Sequence, residues 1–190
     1  MTTAMRTTTL LPLLATLFLA TSCGGTKDGS GGKAQDMTER IRAMEDSLFQ
    51  HMAFDPRGAQ ALLDVYKAYA GAFPLDSMAP EYLFRAAGVA KSMGDPEASV
   101  FLYDRIIGDY TSWKRLPDTY YMKAFTIDSE LGRKGEAQRA YQEVINLFPD
   151  HPFARDARLS IENLKYTDEE LIERFRRMEE EAAEPAADRR

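Results

Sequence analysis

The chain has 190 residues, 24 of them basic and 30 acidic, for a formal net charge of −6. That acidic balance excludes the basic footprint that binding to nucleic-acid phosphates requires. A single cysteine excludes an internal disulfide framework, while ordinary apolar content suits a domain with its own core.

Arg6 is the only charge before Lys27. Leu10 to Ala20 is nearly all apolar, interrupted by Pro12. As a helix this run rises only about 16 Å, against a bilayer core of roughly 30 Å. A basic start, a short apolar core and the small residues Ala20, Thr21 and Ser22 predict a secretory leader over 1–22 rather than a membrane span. The stretch "LFLATSCGG" resembles the lipobox of bacterial lipoproteins, in which small residues precede an obligatory cysteine. The resemblance implies lipidation of the Cys23 thiol, cleavage before it and acylation of the new amino terminus. Ala20 stands where that family favours Leu. Gly24 after the cysteine, rather than Asp, leans by the same resemblance toward an outer-membrane anchor. The body is expected to face the periplasm, with display at the cell surface left open.

Residues 23–35 carry Gly24, Gly25, Gly29, Gly31 and Gly32 among small and polar side chains. A segment with so little to bury is expected to be a flexible tether, with a span of about 20 Å. Loss of the leader removes only Arg6 and takes the net charge from −6 to −7.

The helical body is expected over 36–181. Asp36 and Glu39 read as a capping box, followed by Ile41, Met44, Leu48 and Met52 on one face. Leu62, Leu63, Tyr66, Ala70 and Phe73 mark a second helix, stopped by Pro74. Leu83, Ala86, Ala87, Ala90 and Met93 form the next face, closed by Gly94, with Asp95 as cap and Pro96 in the first turn of the helix after it. That helix carries Val100, Tyr103, Ile107 and Tyr110. The same order returns in Tyr121, Ala124, Phe125, Asp128 and Leu131, then Gly132, then Ala137, Tyr141, Val144, Ile145 and Phe148, with Pro149 as the stop. Ala154, Ala157, Ile161 and Leu164 define another helix. Thr167 and Glu170 cap the last, which carries Leu171, Ile172, Phe175 and Met178. Residues 182–190 read as a disordered tail.

The repetition is internal. At a shift of 38, Tyr82, Ala86, Gly94, Tyr103 and Ile107 meet Tyr120, Ala124, Gly132, Tyr141 and Ile145, and Tyr66 precedes Tyr103 by 37. These units resemble tetratricopeptide repeats, most closely through Tyr121, Ala124, Gly132, Ala137, Tyr141 and Pro149. Phe125 and Asp128 depart from that family's pattern. The resemblance implies an all-α solenoid of helix pairs, about three repeats plus a C-terminal capping pair. "AQRAYQEVINLFPDHPFARDA" further resembles a branch found in bacterial envelopes, including the lipoprotein of the outer-membrane β-barrel assembly machine.

No phosphate-binding glycine loop, nucleophile elbow or His-Glu-x-x-His pattern occurs. His51 and His151 are the only histidines and read as surface or turn residues. Glu179, Glu180 and Glu181 read as a solvated helix face. No catalytic residue, metal or cofactor is expected. By the family's pattern the first helix of each pair lines a concave face, with Glu81, Phe84, Gly88 and Lys91 exposed in one unit and Thr119, Met122, Thr126 and Ser129 in the next. Phe84 and Met122 at equivalent places suggest a groove for a peptide or helix. Trp113, in the longer turn "YTSWKRLPD", is a candidate anchor. The expected function is a membrane-anchored, non-catalytic scaffold for an envelope protein or peptide segment. It would assist outer-membrane protein assembly or wall–membrane coordination. Self-association, through Phe175 and Met178, and small-ligand binding stay open as alternatives.

Overall fold

The structure is a computed structural model that describes residues 29–49 and 55–183. The lipidation candidate Cys23, the leader, Met52, His51 and residues 184–190 lie outside the described residues. The fold is all-α. Its helices are α1 (Gly29–Phe49), α2 (Pro56–Ala72), α3 (Ala79–Ser92), α4 (Pro96–Asp109), α5 (Leu116–Ser129), α6 (Lys134–Leu147), α7 (Pro152–Asn163) and α8 (Asp168–Ala183). Consecutive helices from α1 to α7 pack against one another, and α5 also meets α7. This is a series of antiparallel pairs, consistent with a tetratricopeptide-like array. No described helix is long and apolar enough to cross a membrane.

The repeat is visible in backbone geometry. Phe73, Tyr110 and Phe148 end α2, α4 and α6 with nearly the same dihedrals, φ of −130°, −129° and −133°. In the turns that follow, the amides of Asp76, Trp113 and His151 donate to the carbonyls of those three residues at 3.0, 2.9 and 3.0 Å. The turn holding Trp113 spans residues 110–115 and is therefore no longer than its counterpart over 73–78, correcting the expectation of a longer one. Within the pairs, Gly94 and Gly132 take φ of +80° and +63°, the left-handed region where a side chain is strained. Asp95 caps α4 by accepting from the Ala98 amide at 2.9 Å.

The core is built where small residues of one helix face large residues of the next. Leu83, Ala86, Ala87 and Ala90 of α3 are buried against Leu62, Tyr66 and Tyr69 of α2 and Leu102, Tyr103 and Ile106 of α4. A second cluster joins Ala124 and Ile127 to Ala137, Tyr141, Val144 and Ala157. Alanine lets the helices approach closely, and the aromatic rings fill what remains. In α4 the buried face is set by Leu102 and Ile106, with Ile107 only half-buried.

Two expectations change at the amino end. α1 starts at Gly29, so Asp36 lies inside the helix and does not cap it. The Glu39 carboxylate instead accepts from the Gln35 amide at 3.2 Å. The physical reason is that Ala34 and Met37 extend the stripe of Ile41, Met44 and Leu48 onto the core, which draws 29–35 into the helix despite its glycines. At the other end Thr167 and Glu170 do form the reciprocal capping box, at 3.2 and 2.8 Å.

Candidate functional site

Glu45 and Leu48 of α1, Phe84, Arg85, Gly88, Val89 and Lys91 of α3, and Met122 of α5 line one groove of about 1000 Å³. Its floor is deepened by Tyr66 and Tyr103 from the second helices. Four of the expected binding residues, Phe84, Gly88, Lys91 and Met122, therefore meet on a single surface. Gly88 contributes no side chain to this surface, and the space beside its Cα is open: a Cβ placed there would meet nothing within 4 Å.

A ladder of charge crosses the groove and ties the units together. The Tyr66 hydroxyl donates to Glu45, which also accepts from Arg85 Nη1 at 2.7 Å. Arg85 Nε donates to Glu81 at 3.0 Å. Arg115 Nη1 donates to the other Glu81 oxygen at 2.9 Å, and its Nε to Asp118 at 3.2 Å. Burial works against the Glu81 carboxylate, but the hydrogen bonds and charges of Arg85 and Arg115 outweigh it and hold the carboxyl below its usual range. Burial, followed by the bond to Glu45, pushes the Tyr66 phenol up.

Phe84 is not a free finger. Its ring lies 5.5 Å from Tyr103 and 5.9 Å from Trp113, and the Arg115 guanidinium stands 4.2 Å above it. It serves the packing between units and presents only part of its surface to the groove. Lys91 is placed with its ammonium 5.4 Å from the Phe125 ring.

Two expected site residues do not belong here. Thr126 is fully buried, and its hydroxyl donates to the Met122 carbonyl at 2.8 Å. Thr119 is likewise buried and bonded to the Arg115 carbonyl. Trp113 folds back onto the core beside Phe84 and faces a separate depression with Leu75 and Tyr110. His151 caps α7, its Nδ1 accepting from the Phe153 amide at 3.3 Å. Among the described residues no group of three His, Cys, Asp or Glu side chains is arranged to hold a metal ion.

No protein-family model and no curated protein matches this chain. The groove is thus defined by its geometry: apolar walls from three first helices, a tyrosine floor and a paired charge ladder. Sequence reasoning missed Leu48, Arg85, Val89 and Arg115. Glu81 and Arg85, four apart on one helix, carried a readable signal. Arg115 and Asp118, three apart, carried a local signal, but the bond of Arg115 to Glu81 crosses units and no spacing announces it.

Proposed function

We propose that the chain is a non-catalytic scaffold of a bacterial cell envelope and a tetratricopeptide-repeat lipoprotein, held to the outer membrane through lipidated Cys23. Its groove takes up an amphipathic helix or extended segment of another envelope protein. The observation that carries this reading is the groove itself. A surface that runs across α1, α3 and α5, apolar in its walls and open at Gly88, suits a chain segment lying across several helices. The Cys23 lipobox supports the anchor. The envelope-branch resemblance supports a role in outer-membrane protein assembly or in coordinating wall and membrane.

The test has two arms. Cells fed an alkyne-bearing fatty acid should label the wild-type chain and not Cys23→Ser, and the variant should leave the membrane fraction. Affinity capture after in-cell crosslinking should recover an envelope partner with wild type and lose it with Gly88→Leu, a change that fills the groove without removing any packing. Equal label in both chains refutes the anchor. Equal capture by both refutes the groove.

A further inference from the structure

The start of α1 and the turn between α2 and α3 lie side by side: Gly31, Ala34 and Thr38 share one depression with Asp76, Ser77 and Met78. Asp76 and Ser77 in turn share the next depression with Tyr110, Trp113 and Lys114, from the turn between α4 and α5. One edge of the helix array therefore carries the start of α1 and both of these turns. Leu75 stands on that edge at 99 % exposure, so the core has no use for it. Pro74, Tyr110 and Trp113 line the same depression, which makes the patch apolar and aromatic. The nearby carboxylates are engaged: Asp76 accepts from the Met78 amide at 2.7 Å, and Asp109 from Arg105 at 3.4 Å. Lys114, beside Trp113, is exposed.

We propose that this edge rests on a lipid bilayer, with Leu75 reaching into the headgroup region and Tyr110 and Trp113 at the interface. The inference rests on the lipid anchor proposed at Cys23, and the place of that anchor selects the occupant. Cys23 stands six positions before Gly29, where α1 begins. Even fully extended, six residues reach no more than about 22 Å. An acylated Cys23 thus keeps the start of α1, and the edge beside it, within that distance of the membrane. A lone exposed leucine needs no partner, but one held next to an anchor meets lipid. Tyrosine and tryptophan favour that boundary, where the ring is apolar and its polar tip stays wet. The helices then stand with this edge down. The 14 residues of α5 rise about 21 Å, which lifts the opposite edge, at Glu130 and Gly132, away from the lipid. Leu48, Gly88 and Ser92 of the groove sit in the far halves of α1 and α3, so the groove stays open to a partner while the chain is anchored.

The experiment uses the full chain, lipidated in cells and reconstituted into vesicles of phosphatidylethanolamine and phosphatidylglycerol in which some lipids carry a nitroxide quencher. With the Cys23 thiol acylated, a single cysteine introduced at Leu75, Ser112 or Glu130, all exposed, takes an environment-sensitive fluorophore. The fluorophore at Leu75→Cys and at Ser112→Cys should be quenched and blue-shifted. At Glu130→Cys, on the far edge, it should be neither. Adding Leu75→Glu should abolish the quenching at Ser112→Cys while the chain still floats with the vesicles, and quenching that survives it overturns Leu75 as the contact. A chain that floats without quenching at positions 75 and 112 keeps its anchor and overturns the edge. Equal quenching at all three positions overturns the orientation, and the proposal with it. A chain that does not float has no anchor, and the edge falls with it.

Discussion

The guanidinium of Arg115 stands 4.2 Å above the Phe84 ring while donating to Glu81, one turn before Phe84, at 2.9 Å. Arg115 precedes α5 and Phe84 sits on α3, so a single side chain fastens two units by a hydrogen bond and a ring contact. Arg115→Ala is expected to cost about 1–2 kcal/mol in chemical denaturation. Arg115→Lys should recover only part of that, because an ammonium lacks the planar fork that stacks and bonds at once. Full recovery by lysine would reduce the role of Arg115 to charge alone.

Glu81 makes stability depend on acid. Its folded pKa lies below its ordinary value, through Arg85 and Arg115 acting against burial. Its contribution is therefore complete above the unfolded carboxylate pKa and is lost as pH falls through the lower, folded one. Glu81→Gln should flatten the fall in stability below about pH 4.3, read as melting temperature against pH. An unchanged acid limb would remove Glu81 as its source.

Asp128 behaves in the opposite sense. Burial raises its carboxyl, against the Tyr141 hydrogen bond and the charge of Lys134. A raised folded pKa favours the fold below the unfolded value and loses that advantage as pH rises through the folded one. Asp128→Asn should thus hold or gain stability at neutral pH relative to wild type. The Tyr141 hydroxyl, now 3.3 Å from Asp128 Oδ2, keeps an oxygen acceptor. A loss at neutral pH would show that the ionised carboxylate is stabilising.

Glycine has two opposite roles here, and substitution separates them. Gly94 and Gly132 have positive φ, so alanine at either should destabilise by about 1–2 kcal/mol through backbone strain. Gly71, inside α2, has free space where a Cβ would go. Gly71→Ala should stabilise by about 0.5–1 kcal/mol. Thermal unfolding of the three variants checks both signs.

What was legible in the sequence was whatever a fixed spacing imposes. Gly94 and Gly132, the tyrosines Tyr66, Tyr103 and Tyr141, and the buried Ala86 and Ala124 all fall where the period of 37 and 38 places them. The exposed side of α5 was not legible. Thr119 and Thr126 read as polar, yet each satisfies its hydroxyl on the carbonyl one turn back and is then free to bury its methyl group. The rotation this allows leaves Phe125 partly exposed at 37 % and buries Ile127 instead. The start of α1 was hidden for a different reason: the glycines argued for loop, and only the tertiary contacts of Ala34 and Met37 reversed that. Phe84 and Met122 announced the groove, but the arginine that braces it came from a turn with no periodicity to betray it.

The role proposed for the α1–α3–α5 groove is to hold a segment of another envelope protein. Its most direct test is a photo-crosslinking amino acid introduced at Lys91, within the groove, and separately at the exposed Gln142 on α6, with both proteins expressed in their own envelope. A segment held in the groove gives a discrete adduct to one envelope protein from position 91, lost when Gly88→Leu is added, and no such adduct from position 142. Adducts of the same pattern from both positions, or an adduct from position 91 that survives Gly88→Leu, would contradict it.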